Sequence, residues 1–366
     1  MPSDSKNLIL LSAGGTGGHL FPAEALALAL EKRGVIVDLA TDTRAAHFKF
    51  PARAVHLIPS ATLRARNPLA LARTGARLAL GGAKAWSLLG RLRPAAVVGF
   101  GGYPTVPPLW AASLHGIPTV LHEQNGVMGR ANRLLAPRVT AIATGFRSLE
   151  LIDPRVQGKT NFTGNPVRPR AIAAAGVAYA APVPGGDFRL LVFGGSQGAR
   201  VMSEIVPSAI ANFDPQLRAR LVVVQQARAE DLEAVRAAYS RLGVEAETAA
   251  FFADLPERMA ASHLVISRSG ASTVAELSAI GRPAILVPLP HALDQDQFAN
   301  AGVLEQAGGA VRIEQRDFTP RRLAAEIARL AADPEGLVGM AAGAKSAGTL
   351  DAAERLADLV QKVAGI

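Results

Sequence analysis

Cysteine is absent from all 366 residues, so neither a disulfide framework nor a thiolate metal site can form, and a reducing compartment is permitted. Aromatic residues make up only 5% of the chain, too few for a surface that grips nucleic acid by base stacking. The amino end, MPSDSKNLILLSAGG, has too short an apolar run and too early a glycine cluster for a signal peptide, which makes a cytoplasmic location the expectation. An unbroken membrane span is missing as well. The uncharged stretch from Pro94 to His122 is long enough for one, but Gly99, Gly101, Gly102, Pro104, Pro107, Pro108, Gly116 and Pro118 interrupt it. It reads instead as a buried strand AAVVGF, a short helix over Leu109–Leu114 and a second buried strand IPTVLH.

Acidic residues are missing from Thr43 to His122, where Arg44, Lys49, Arg53, Arg64, Arg66, Arg73, Arg77, Lys84, Arg91 and Arg93 accumulate. Residues 1–164 carry 19 Lys and Arg against 8 Asp and Glu, a balance of +11, whereas residues 165–366 carry 20 against 22, a balance of −2. The two halves therefore face different partners, and the first implies an anionic surface, either nucleic acid or membrane headgroups. Within the stretch the arginines are separated mainly by Leu and Ala, which favours headgroups over bases.

What is abundant is aliphatic. Hydrophobic residues reach 49%, with Leu, Ile, Val and Ala dominant, as alternating buried strands and helices require. The length suits two domains. Asn7–Ala13 predicts a strand, followed by a glycine turn and a helix over Pro22–Arg33 with Gly34 just beyond it. The same grammar recurs at RLLVF, GGSQGA and a helical stretch over Ser203–Asn212. Between the two copies, GNPVRPR and the Ala/Pro/Gly-rich segment to Gly186 predict a linker, with the first domain over 1–164 and the second over 165–345. Strands LVVVQ, HLVIS and AILVP continue the second half. Leu350–Val363 has apolar residues at helical spacing, and this final helix, about 346–366, is expected to pack back on the first domain.

Five motifs carry chemistry. Gly14-Gly15-Thr16-Gly17-Gly18-His19 follows a strand and precedes a helix, a place where backbone amides favour anionic or polar groups. His19 at a helix amino terminus has its cation disfavoured by the dipole and can accept a proton. Gly194-Gly195-Ser196-Gln197-Gly198-Ala199 repeats the arrangement, with the Ser196 hydroxyl where a phosphate would sit. In Ser267–Glu276, amides at Gly270–Thr273 suit a diphosphate, and the Glu276 carboxylate suits the two hydroxyls of a ribose. His122-Glu123-Gln124-Asn125 gathers four hydrogen-bonding side chains at a strand's carboxyl end, where they should line a site. Asp294-Gln295-Asp296-Gln297 contains a D-x-D pair, read as a helix cap rather than a metal site. The first motif alone also permits a nicotinamide dinucleotide, with Asp38 or Asp42 as the ribose acid.

Taken in order, GGTGGH, GGY at Gly101–Tyr103, HEQN, GNPVR at Gly164–Arg168, GGSQGA, RSGA-S-T-V-x-E, Gln297 and Asn300 resemble the MurG family, the UDP-N-acetylglucosamine:muramyl-pentapeptide-diphospho-undecaprenol transferases. The resemblance implies an α/β GT-B fold: two Rossmann-like doubly wound domains facing a central cleft, with inverting chemistry and no metal or other cofactor. It implies two substrates, UDP-N-acetylglucosamine and an undecaprenyl-linked muramyl-pentapeptide, and a peripheral place on the cytoplasmic face of the bacterial inner membrane rather than on nucleic acid. Thr16, Gly17, Gly18, Tyr103 and Asn125 would touch the sugar, diphosphate and acceptor region. Arg168, Ser196, Phe252, the run Ala271, Ser272, Thr273, Val274, Ala275 and Glu276, and Gln297 would hold nucleotide and sugar. Phe252 stands where relatives carry an aliphatic residue, Asp296 where some carry glutamine, and the loop Thr62–Pro68 is poorer in glycine than the pattern. His19 is the expected base and Glu123 its competitor. A UDP-sugar epimerase and an NAD-dependent oxidoreductase are the alternatives.

Overall fold

The computed structural model describes residues 7–14, 17–43, 49–60, 68–195 and 198–366, with the side chains of residues 17, 68–73 and 293 left aside. The chain divides into two compact units, Met1–Arg168 with Leu350–Ile366, and Pro169–Thr349. The first runs β1 (Leu8–Ser12), α1 (Gly17–Lys32), β2 (Ile36–Thr41), β3 (Ala54–Leu57), α2 (Pro68–Leu92), β4 (Ala96–Gly99), α3 (Val106–Leu114), β5 (Thr119–Glu123), α4 (Arg130–Leu135), β6 (Ala141–Thr144) and β7 (Thr160–Phe162). The second runs α5 (Pro169–Ala174), β8 (Phe188–Phe193), α6 (Arg200–Ile210), α7 (Pro215–Ala219), β9 (Leu221–Gln226), α8 (Leu232–Leu242), β10 (Glu245–Ala249), α9 (Leu255–Ala261), β11 (Leu264–Ser267), α10 (Ala271–Ile280), β12 (Ala284–Leu286), α11 (Asp296–Gln306), β13 (Ala310–Arg312), α12 (Pro320–Ala331) and α13 (Pro334–Ser346). A last helix, α14 (Ala352–Ala364), returns to the first unit.

Among the described residues each unit has one sheet. Their strand orders are β3-β2-β1-β4-β5-β6-β7 and β10-β9-β8-β11-β12-β13, and every pairing is parallel. Parallel strands covered by helices on both faces must be apolar throughout; β1, β4 and β11 are accordingly buried at every position. Alternate residues of β1 serve opposite faces of the first sheet: Ile9 and Leu11 pack with α1 and α14, while Leu10 packs with α2 and α3. The chain thus forms two Rossmann-like α/β domains.

Several elements differ from their sequence-based expectation. Helix α1 starts at Gly17 and carries Pro22 inside it. Proline cannot donate to the carbonyl four residues back, so the helix gives up the bond to Gly18, close enough to its start for the rest to propagate. The segment expected to be a linker contains α5, packed against α9 and α10, and is pinned by a buried cation. Arg282 is 1% exposed and donates to the carbonyls of Ala260 at 2.7 Å, Ile280 at 3.0 Å, Gly281 at 3.1 Å and Val177 at 3.0 Å. Burial holds its pKa below the usual guanidinium range. Helix α14 is fastened to the end of α1 by Arg33, which reaches Glu354, Asp358 and Gln361.

Asp38, an expected ribose acid under the nicotinamide alternative, is wholly buried on β2 and holds β3 instead. Arg53 Nε and one terminal nitrogen each donate to it at 2.9 Å, and His56 Nε2 lies 2.9 Å away. It is not presented to a ligand. Arg53 remains exposed, with its charge paired to Asp38.

Two outcomes follow for stability. Arg282→Met leaves several buried carbonyls without a donor, each costing about 1–3 kcal/mol, so urea denaturation should show a loss of roughly 3 kcal/mol or more. For Asp38, burial alone would raise the carboxyl, yet Arg53 and His56 outweigh it and hold the pKa below its usual value. That stabilisation is present above the unfolded carboxylate pKa of about 3.9 and is lost as pH falls through the depressed folded value. Asp38→Asn should therefore melt below the wild type at pH 7, with the difference shrinking below about pH 4.

Candidate active site

In an open parallel sheet, ligands bind outside the carboxyl ends of the strands where the order reverses, because two neighbouring connections leave in opposite directions and open a crevice. In the first unit that point lies between β1 and β4. The loop after β1 leads through Gly14 into α1, whose first turn holds Gly17, Gly18 and the half-buried His19; Gly15 and Thr16 lie outside the described residues. The loop after β4 turns through Gly101 and Gly102, with φ of 81° and 72°, and delivers Tyr103. A methyl on Gly102 would stand 3.3 Å from His19 Nε2. Only glycine tolerates that φ and lets the turn lie against the imidazole.

The next strand ends in the HEQN cluster. Gln124 is 2% exposed; its amide nitrogen donates to the Phe100 carbonyl at 2.9 Å and faces His122 Nδ1 at 3.1 Å. Its Oε1 lies 3.3 Å from His19 Nδ1. His122 is fully buried, with Nε2 3.2 Å from the Gly164 carbonyl. Burial pushes its pKa down to about 4, against the pull of the Gly164 carbonyl and aided by repulsion from His19. Asn165 Nδ2 donates to the Gln124 carbonyl at 2.8 Å. The Asn165 amide so crowds Gly145 that a Cβ there would fall 2.1 Å from its Oδ1. GNPVR thus buttresses HEQN.

Glu123 has a different setting from His19. Its carboxylate is 1% exposed and accepts from the Asn125 amide at 3.0 Å, Asn125 Nδ2 at 3.2 Å, the Gly129 amide at 2.9 Å and Asn132 Nδ2 at 2.6 Å. Burial raises its pKa, and these four donors oppose the rise. These contacts tie the loop that carries Asn125 and the start of α4 to the end of β5.

In the second unit the order reverses between β8 and β11. After β8 come Gly194, whose amide donates to Gln226 Oε1 at 3.2 Å, and the left-handed Gly195 and Gly198; Ser196 and Gln197 lie outside the described residues. After β11 the chain enters α10 at Gly270 with no side chain capping the helix. The amides of Ala271, Ser272 and Thr273 form its first turn, and unsatisfied first-turn amides favour an anion. Val274, Ala275 and Glu276 follow, buried, with Glu276 4% exposed. Gln297 is brought beside this helix start: its carbonyl accepts from Ser269 Oγ at 2.7 Å, and its Oε1 accepts from the Leu289 amide at 3.1 Å. Asn300 Nδ2 donates to the Ser269 carbonyl at 3.1 Å.

Arg168 lies in the first unit, its guanidinium 4.8 Å above the Phe21 ring of α1 and close enough to Glu24 to oppose the rise that burial imposes on that carboxyl. Phe252 is buried after β10, with Arg258 4.2 Å above its ring. Two contributors carry no role in the sequence reading. Arg268, 8% exposed, reaches the Val287 and Pro288 carbonyls at 3.1 and 3.0 Å and the Gln315 side chain, clamping the end of β11 to the segment after β12. Asn132, on α4, donates to Glu123 nine positions away. Among the described residues no group of three or more His, Asp or Glu is placed to hold a metal.

Residues 9–144 match the glycosyltransferase family 28 N-terminal domain, and residues 189–356 the family 28 C-terminal domain. A protein of Rhodopseudomonas palustris (strain BisB18), named UDP-N-acetylglucosamine--N-acetylmuramyl-(pentapeptide) pyrophosphoryl-undecaprenol N-acetylglucosamine transferase, is 64% identical over 98% of this chain and 96% of its own length. The crystal structure of MurG from Acinetobacter baumannii superposes with a TM-score of 0.77 at 27% identity, covering 97% of this chain and 99% of that one. A UDP-GlcNAc 2-epimerase from Neisseria meningitidis, bound to UDP-GlcNAc, shares the fold at a TM-score of 0.66 and 13% identity over 97% of this chain and all of its own, so the fold alone does not separate transferase from epimerase. The ordered pair of family domains and the near-full-length identity do, and the chain belongs to the MurG family of family 28 glycosyltransferases.

Proposed function

We propose that this chain transfers N-acetylglucosamine from UDP-N-acetylglucosamine to the 4-hydroxyl of undecaprenyl-diphospho-muramyl-pentapeptide, with inversion at the anomeric carbon. The observation that carries the reading is a division of chemistry between the two switch points. In the first unit a histidine stands in the first turn of a helix, steered by Gln124. In the second an uncapped helix start is followed by a buried carboxylate. An epimerase acts on the nucleotide sugar alone and is not favoured.

The charge flow sets the roles. As the acceptor hydroxyl attacks, its proton must leave and negative charge grows on UDP, so the site needs a base at one end and fixed donors at the other. His19 is the base. Glu123, held by donors from Asn125, Gly129 and Asn132 of α4, positions Asn125. The α10 amides at Ala271–Thr273, with Ser196 and Arg168, stabilise the diphosphate; Glu276 takes the ribose hydroxyls, the backbone at Phe252 meets the uracil, and Gln297 meets the sugar. Thr16, Gly17, Gly18, Tyr103 and Asn125 complete the acceptor side.

The lipid acceptor requires approach to a membrane. Among the described residues no helix is long and apolar enough to cross one. Helix α2 instead offers an amphipathic face. Leu88 and Leu89 belong to the core, whereas Leu80 is 64% exposed and Trp86 47%. Leu78, Trp86, Val106, Trp110 and Leu114 line an apolar groove of about 400 Å³ between α2 and α3, with Arg77, Lys84 and Arg91 exposed along the same helix. Apolar side chains in the acyl boundary and cations at the headgroups are what a peripheral surface needs, and we assign this face to an anionic leaflet.

Two measurements test these assignments. In steady-state assays His19→Ala should lower kcat by about 10²–10⁴-fold, and Glu276→Ala should raise the donor KM far more than the acceptor KM. Near-normal turnover in the first, or an unchanged donor KM in the second, removes that residue from its role. For the membrane face, each cation near an anionic leaflet contributes about 1 kcal/mol. Changing Arg73, Arg77 and Lys84 to Gln should lower co-sedimentation with anionic vesicles by about a hundredfold while UDP binding persists. Undiminished vesicle binding would reject the surface.

A further inference from the structure

The polar chain behind His19 has a direction, and two carbonyl groups set it. A carbonyl oxygen can only accept a hydrogen bond. The Phe100 carbonyl, 2.9 Å from Gln124 Nε2, therefore identifies the amide nitrogen of that side chain and turns its oxygen toward His19. At the other end the Gly164 carbonyl lies 3.2 Å from His122 Nε2, so the hydrogen of the neutral His122 ring is on Nε2 and its Nδ1 is bare. That bare nitrogen faces the second hydrogen of the Gln124 amide at 3.1 Å. Both ends agree. The remaining link, from Gln124 Oε1 to His19 Nδ1 at 3.3 Å, can close only if His19 Nδ1 carries the hydrogen.

The components are rigid enough to hold this polarity. His122 is 0% exposed and Gln124 2%, and the Gln124 backbone is fixed by Asn165. The depressed pKa of His122, about 4, keeps its ring neutral, so Nδ1 stays an acceptor across the physiological range. A buried amide that flipped would set its oxygen against the Phe100 carbonyl and against the bare nitrogen of His122, losing both hydrogen bonds. A neutral imidazole has one proton-accepting nitrogen, and which one it is depends on the bond the other makes.

We propose that Gln124, aimed by the Phe100 carbonyl and His122, holds His19 in the tautomer with hydrogen on Nδ1, so that Nε2, the nitrogen beside Gly102, takes the proton of the acceptor hydroxyl. Gln124 and His122 are then positioning residues. This deepens the assignment of His19 as the base and rests on it. In the step itself the acceptor O–H bond breaks as its oxygen bonds to the anomeric carbon, the proton joins Nε2, and the electron pair of the anomeric C–O bond leaves with UDP. The amide orients the ring without adding a counter-charge.

The test is nitrogen NMR on the full-length protein labelled with 15N-histidine, together with kinetics of Gln124→Met, which keeps the length of the side chain and removes its hydrogen bonds. In the wild type, with the resonance assigned by its loss in His19→Gln, neutral His19 should show a protonated Nδ1 and an unprotonated Nε2. In Gln124→Met the ring should become a mixture of tautomers. Its kcat should fall about ten- to a hundredfold, part of the ~10²–10⁴ that a general base supplies, with both KM values within about twofold. A wild-type ring protonated on Nε2 would overturn the proposal even if the variants do not fold, and so would a Gln124→Met enzyme with unaltered tautomer or unaltered kcat. Full turnover in His19→Ala with the wild-type tautomer as described would instead fail the base assignment and leave the orienting role of Gln124 standing.

Discussion

A parallel sheet sends every strand out of the same edge, and that single constraint places all the polar chemistry of this chain. The carboxyl ends of β1, β4 and β5 deliver the glycine turn, Gly102 and HEQN to one edge of the first sheet. The carboxyl ends of β8, β10, β11 and β12 deliver GGSQGA, Phe252, Ser269 with α10, and the segment that leads to Gln297 to the same edge of the second. Because the helices that follow start at these edges, their amino-terminal dipoles face the same way within each unit. Strands such as β1, β4 and β11 are buried at every position and almost wholly aliphatic, so the polar groups gather at strand ends and on the connecting strings.

That confinement explains what could be read from sequence. Apolar runs such as LILLS and RLLVF, ended by glycine, announce a buried strand meeting a ligand loop. The order of the motifs matched the family over nearly the whole chain. Other elements left weaker traces. Helix α2 is punctuated by Gly75, Gly81, Gly82 and Gly90, which dilutes its periodicity, while β10 reads EAETA and owes its place to pairing with β9 rather than to apolar composition. Arg282 looks like any surface arginine in the sequence. Only the convergence of carbonyls from α9, the end of α10 and the segment after α5 makes it a buried pin. The direction of the His122–Gln124 chain was equally invisible, since it is set by the backbone oxygens of Phe100 and Gly164, which no side-chain pattern encodes.

Two buried carboxylates of the first unit, Asp38 and Glu123, show how setting separates like groups. Asp38 is buried beside Arg53 and His56, which hold its pKa below the usual value; Glu123 is buried beside neutral donors, and burial works against its charge. In the structure Asp38 accepts from Arg53 and lies against His56, while Glu123 accepts from Asn125, Gly129 and Asn132.

Helix α14 has a consequence for synthesis. Leu356, Ala357 and Val360 complete the apolar layer formed by Ile9, Leu26 and Leu30 in the first unit, yet they follow the whole of Pro169–Thr349 in the chain. During translation the first sheet must therefore wait, with one face of its core uncovered, while some 180 residues of the other unit emerge. The second unit has no such dependence and can close as soon as α13 is made. A chain that starts first finishes folding last, and for that interval its exposed Leu- and Ala-rich face is the part of the nascent protein most in need of shielding from other chains.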